Sequence, residues 1–192
     1  MSSPVSKAIE GLSSTDASVR SAAATQVYRA GRSLADHAVT VWLRNPGLSS
    51  LLGPEPMVTV GVAVLPAVFA RIRAANANPP LAQVPPDQDA EEFELHFPEN
   101  VLLDILTTRA PGGPGAISRF LLRFGEGIQQ VELRCANIAR ATTILNQDFG
   151  LAPVYPQQRL GANGSRVNFF LVPIPDGGRV LIELYSRPES GS

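Results

Sequence analysis

The apolar positions of the first fifty residues recur at helical spacing. In "SSTDASVRSAAATQVYRAG" a Ser/Thr/Asp cluster suited to capping precedes Val19, Ala22, Ala23 and Val27, which share one face. Gly31 follows as the expected stop. In "SLADHAVTVWLRNPG" the stripe Leu34, Ala38, Val41 and Trp42 predicts a second helix, ended by Asn45-Pro46-Gly47. The spacing thus predicts a helical hairpin within residues 1–53.

From Thr59 the period changes from helical to alternating. Val60, Val62 and Val64 fall on one side and Thr59, Gly61 and Ala63 on the other, the pattern of a half-buried strand. A short helix follows in "LPAVFARIRAANA", then a Pro-rich extended piece, "PPLAQVPPDQ", and two strands, "AEEFELHFPE" and "NVLLDILTT". After the linker "RAPGGPGA" and a short helix, "ISRFLLRFG", the same order returns. It runs "IQQVELRC", "NIARATTILNQDFG", "LAPVYPQQ", "RVNFFLVPIP" and "RVLIELYS".

Spacing supports a duplication. Leu81 lies 22 residues after Thr59 and Leu151 lies 21 after Gln130, and the segments that begin there, "LAQVPPDQ" and "LAPVYPQQ", nearly coincide. The second copy carries a longer Gly/Asn-rich turn, "RLGANGSR". The expected fold is α+β: two βαβββ modules forming a cupped mixed sheet, with an N-terminal helical hairpin. Module one is expected over 57–109, a linker over 110–124 and module two over 125–188, the two modules making one domain, 57–188. The hairpin resembles a single HEAT-type repeat, which cannot bury its own face and must lean on another surface.

Composition narrows the partners. The 192 residues carry sixteen Lys and Arg against seventeen Asp and Glu, a net charge of −1, so neither nucleic acid nor an anionic membrane surface is an expected partner. The lone cysteine, Cys135, rules out an internal disulfide framework. "MSSPVSKAIEGLSS" lacks the features of a signal peptide, and no apolar run is long enough to span a bilayer, so a cytoplasmic protein is expected. A small-molecule ligand is the expected partner, and an exposed apolar face on the hairpin would favour a homodimer.

Strand parity separates core from chemistry. Val60, Val62, Val64, Leu103, Ile105, Val131, Leu133, Cys135, Ile182 and Leu184 share the apolar parity. The opposite parity carries Thr59, Asp104, Gln130, Glu132, Arg134, Glu183 and Tyr185, a polar set suited to a wet cavity. Cys135 is expected as a buried, inert thiol. His37 has no expected role, and His96 is expected as an ordinary strand histidine, with an inward-reaching ligand as the alternative. "APGGPG" lacks the lysine and spacing of a phosphate-binding loop and fits a flexible linker.

"ISRFLLRFGEGIQQVELRC" and "VNFFLVPIPDGGRVLIELYS" resemble the second module of the vicinal-oxygen-chelate superfamily, which includes glyoxalases, dioxygenases, bleomycin-resistance proteins and methylmalonyl-CoA epimerases. The likeness is good over about residues 110–188, weaker over 57–109 and absent before that. It implies a divalent ion held by one residue from the first strand and one from the last strand of each module. Those places map to Thr59 and Asp104, and to Gln130 and Glu183. The family usually has histidine where Thr59 and Gln130 stand, and the epimerases place a glutamate where "LAQVPP" has Gln83.

Two functions follow from the resemblance and the polar parity, beside a structural reading in which the pocket is vestigial and the hairpin mediates assembly. One is a small-molecule binding protein with a degenerate metal site, its ligand held in the cavity between the modules by the polar set with Phe170 and Tyr185. No cofactor is expected under this reading. The other is a metal-dependent isomerase or lyase acting on a carbonyl compound or acyl thioester, with Glu183 and Asp104 as its catalytic carboxylates and Gln130, Glu183 and Asp104 as its ligands. Glu183 also has a structural alternative, an ion pair with Arg134 spanning the cavity.

Overall fold

A computed structural model of the chain describes residues 3–187. The helices are α1 (Pro4–Gly11), α2 (Ala17–Trp42), α3 (Pro46–Leu52), α4 (Pro66–Ala75), α5 (Ala116–Phe124) and α6 (Ile138–Phe149). The strands are β1 (Val58–Ala63), β2 (Glu91–Phe97), β3 (Val101–Thr107), β4 (Gly127–Arg134), β5 (Arg159–Leu160), β6 (Arg166–Pro173) and β7 (Arg179–Ser186). The chain divides into two compact units. One comprises residues up to Gly31 with Thr59–Gln129, the other Arg32–Val58 with residues from Gln130 onward.

Both units repeat one topology, as the duplication requires. In the first, β1 runs parallel to β3, and β2 pairs antiparallel with β3. In the second, β4 runs parallel to β7, β6 pairs antiparallel with β7, and β5 adds to β6. The Pro-rich segments that follow α4 and α6 are where a further strand was expected. They bond through isolated backbone contacts, Ala82 N–H to Glu92 C=O at 2.9 Å and Val154 N–H to Phe169 C=O at 2.7 Å. Pro85, Pro86, Pro153 and Pro156 have no N–H to extend these into full ladders.

Helix packing buries the apolar parity of each unit. Phe69 of α4 meets Phe93 of β2 edge-on, with ring centroids 4.7 Å apart, and Ile72 lies buried with Val60, Val62, Leu103 and Ile105. In the second unit Ile138, Ala141 and Leu145 of α6 are buried together with Val131, Leu133, Phe170, Ile182 and Leu184. The opposite face of the first unit is covered in part by α5, whose Ile117 and Leu121 cluster with Ala63, Ala90 and Leu106.

The segments on either side of α5 are held by carboxylates. Asp89 accepts hydrogen bonds from the Thr108 hydroxyl at 2.6 Å and from the Arg109 and Ala110 N–H groups, both at 3.0 Å. Gly115, just before α5, leaves room for this carboxylate, since a Cβ there would lie 2.5 Å from Asp89 Oδ2. Beyond α5, Gly125 takes a left-handed φ of 73°, and Glu126 accepts the Leu65 N–H at 3.0 Å at the start of α4. Within the first unit, Glu126 therefore ties the segment after α5 to the start of α4.

The N-terminal helices form a pair, but with different bounds from those the spacing predicts. Gly31 does not end a helix; α2 runs unbroken for 26 residues from Ala17 to Trp42. The reason is steric. A Cβ at Gly31 would come within 2.4 Å and 2.7 Å of the two methyls of Val60, so glycine lets α2 pass closely over β1. The partner of α2 is α1, which approaches at Gly11, where a Cβ would lie 2.9 Å from that of Ala23. The expected stop at Asn45-Pro46-Gly47 is present and also opens α3, with Asn45 Oδ1 accepting the Gly47 and Leu48 N–H groups. Asn45 Nδ2 donates to Asp148 at 2.9 Å, tying α3 to the end of α6.

Two predictions follow from this packing. Gly31→Ala gains about 1 kcal/mol of helix propensity but forces a methyl into Val60, an overpacking cost of about 1–3 kcal/mol. The variant is expected to unfold at lower denaturant concentration than the parent with an unchanged m-value, and an unchanged or raised midpoint would contradict the close crossing. Cys135 is 1% exposed, its N–H donates to the Tyr185 carbonyl, and burial pushes its thiol pKa up against a smaller opposing pull from the Asn137 backbone. Its reaction with a thiol reagent at neutral pH is expected to be slow in the folded protein and fast in denaturant.

Candidate functional site

The parallel register of β4 on β7 sets Glu132 beside Glu183 and Arg134 beside Tyr185. Because side chains alternate across a strand, Gln130 shares this face with Glu132. The antiparallel register of β6 adds Phe169 opposite Glu183 and Val167 opposite Tyr185. The second unit thus carries a face on which the polar set of β4 and β7 adjoins Phe169 and Val167 of β6, with the apolar parity behind it packed against α6.

Gln130 is 6% exposed and Glu183 9%, unusual burial for an amide and a carboxylate unless they are hydrogen bonded. Gln130 Nε2 donates to Glu183 Oε2 at 2.7 Å and to Glu132 Oε1 at 3.0 Å. A side-chain amide has two N–H bonds, and here each meets a carboxylate. Glu183 therefore has the Gln130 amide as a hydrogen-bond partner, while Arg134, the alternative considered from sequence, is exposed at the end of β4. The Tyr185 hydroxyl lies 3.7 Å from Met57 Sδ, beside the point where the Arg134 N–H meets the Met57 carbonyl.

The aromatic neighbour of Glu183 is Phe169. Phe170, expected to line the cavity, is fully buried opposite Ile182 on the core side. Strand parity decides this, and the sequence "NFFL" offers both rings without showing which one turns inward. Phe169 is half-buried and meets Tyr155 edge-on at 5.9 Å. The Arg159 guanidinium sits 4.7 Å above the Tyr155 ring. Asn168 Nδ2 donates to the Tyr155 carbonyl at 3.2 Å, holding this segment against β6. Tyr155 lies in a Pro-rich loop and Arg159 in the two-residue strand β5 that ends it, segments with no periodicity, so only the fold shows that they belong here.

Thr59 and Asp104 sit in the first unit. Both are buried, Asp104 beside Gly61 of β1 and Glu94 of β2. His96 follows Glu94 on the same face and bonds to it at 2.9 Å, with both side chains more than half exposed. It takes the place of an ordinary strand histidine.

The resemblance implies a metal, and the residues present fit one poorly. Among the described residues no three His, Cys, Asp or Glu side chains gather where they could hold an ion. Around Glu183 the amide of Gln130 turns its nitrogen, not its oxygen, toward the carboxylates. That nitrogen is an N–H donor whose lone pair is delocalised into the carbonyl, so it cannot act as a ligand.

No protein-family profile matches the sequence, and no curated protein does. Solved structures do match. A methylmalonyl-CoA epimerase from Mycobacterium tuberculosis is 26% identical with a TM-score of 0.53, over 68% of this chain and 86% of that one. A variant of the Streptomyces coelicolor methylmalonyl-CoA epimerase, in complex with 2-nitronate-propionyl-CoA, is 23% identical with a TM-score of 0.51, over 69% and 96%. A methylmalonyl-CoA epimerase in complex with methylmalonyl-CoA and NH4+ is 21% identical with a TM-score of 0.53, over 71% and 97%. Among the described residues no helix is long and apolar enough to cross a membrane. With its repeated units, each joining the first strand in parallel to the last, the chain has the glyoxalase-like fold of the vicinal-oxygen-chelate superfamily, the fold of the methylmalonyl-CoA epimerases.

Proposed function

We propose that the chain binds a small molecule on the polar face of its second unit, without a resident metal. The observation that carries this reading is the buried Gln130–Glu183 pair beside half-buried Phe169. Polar groups fixed by their own hydrogen bonds next to an aromatic wall make a pre-formed recognition surface. The carboxylates accept hydrogen bonds from a ligand, and Phe169 and Tyr155 supply apolar contact. Such a protein is cytoplasmic on this reading.

Structures of the same fold hold acyl-CoA compounds, so an acyl-CoA is the first probe. Titration calorimetry with propionyl-CoA, followed by a panel of small carbonyl compounds and carboxylic acids, is expected to yield a saturable ligand. Phe169→Ala is expected to weaken it by about tenfold, the effect of losing about 1.4 kcal/mol of contact. Failure of the whole panel to bind would overturn the reading.

A second reading, an isomerase or lyase, draws support from the adjacent carboxylates Glu132 and Glu183 on an epimerase-like fold. A carboxylate near the α-carbon of an acyl thioester takes its acidic proton as general base. Incubation of propionyl-CoA with the protein in D2O would then exchange that α-proton, and Glu183→Gln would abolish the exchange. Binding without exchange supports the first reading.

We further propose a homodimer. Leu122 is 82% exposed and Phe124 64% exposed on α5, an apolar pair that burial against a second copy would remove from water. Light scattering is expected to give about twice the chain mass of 20.4 kDa, and a monomeric mass would refute it.

A further inference from the structure

Glu132 and Glu183 stand side by side on neighbouring parallel strands and face the same way. Like charges in such a pairing repel and destabilise the sheet. Between them lies Gln130 Nε2, 2.7 Å from one carboxylate and 3.0 Å from the other. The orientation of the amide follows from this. Turning it over would set its oxygen against two acceptor oxygens, whereas the NH2 group offers one hydrogen to each.

We infer that the Gln130 NH2 group is a built-in substitute for a cation: it occupies the position between Glu132 and Glu183 that a divalent ion would take, and closes this carboxylate pair to metal. Three features of the side chain suit it to that role. It brings partial positive charge without a full charge to desolvate, which lowers the cost of burial at 6% exposure. It is tethered to β4, so it competes with any ion at a high effective concentration. It also spends both donors inside the site, leaving no N–H for an outside group. Gln130 is thus a positioning residue that holds the two carboxylates in place. The inference stands whether or not this face binds a small molecule, and a failed ligand screen would not touch it.

The test combines metal titration with a direct view of the amide. Thermal unfolding and calorimetry with Mn2+, Ni2+ and Zn2+ are expected to show no saturable effect on the parent protein. Gln130→Ala opens the pair and is expected to bind one ion, raising Tm by roughly 5–10 °C at a metal concentration about 100 times Kd. Adding Glu183→Ala to that variant is expected to remove the effect. A stoichiometric ion on the parent, lost in Glu183→Ala, would overturn the inference by making Gln130 a ligand through its oxygen, and so would a folded Gln130→Ala that binds none of the three ions. Should Gln130→Ala not fold, NMR of the parent decides. Both Gln130 side-chain NH2 protons are expected to exchange with water at least about tenfold more slowly than those of an exposed glutamine, and fast exchange of either proton would refute the shared bridge.

Discussion

Everything on the candidate site depends on one pairing, the parallel alignment of the first strand of each unit with its last. A parallel pair needs a crossover, and α4 and α6 supply it in the two units. Once β4 lies beside β7, the register leaves no freedom. Val131 must meet Ile182 on the helix side, and Glu132 must meet Glu183 on the other. A slip of one residue would exchange these faces, burying two carboxylates against α6, and the energy of that exchange keeps the register in place.

The polar face is the electrostatic outcome of that register. Two carboxylates brought together by the backbone repel one another, and the Gln130 amide from the same strand as Glu132 donates a hydrogen bond to each. The superfamily resemblance implies a histidine where Gln130 stands. Gln130 acts there as a hydrogen-bond donor to Glu132 and Glu183. The fold is shared with methylmalonyl-CoA epimerases.

Much of the architecture was legible in the sequence. The change from a period of about 3.6 to a period of 2 at Thr59, and the near coincidence of "LAQVPPDQ" with "LAPVYPQQ", announced two copies of one unit. The parity that put Val131, Leu133, Ile182 and Leu184 in the core also put Gln130, Glu132 and Glu183 together on the other face. Gly31 was misleading because glycine serves two ends. It stops helices by adopting left-handed backbone, and it lets a helix approach another chain segment closely, and periodicity does not distinguish the two. Phe169 and Phe170 were ambiguous for a related reason: adjacent residues of equal hydrophobicity carry no alternation, so only pairing with β7 shows which ring faces Glu183.

By itself the sequence determined which residues are apolar, at what spacing, and hence the class of fold and the face on which polar chemistry would gather. Tertiary structure alone decided what those polar groups do to one another. Hydrogen bonds and charge contacts depend on distances of a few tenths of an ångström between residues far apart in the chain, such as Gln130 and Glu183 at 2.7 Å. Periodicity encodes the direction of a side chain, but it says nothing of whether a neighbouring amide presents its nitrogen or its oxygen. That choice is made by the partners the fold brings within reach.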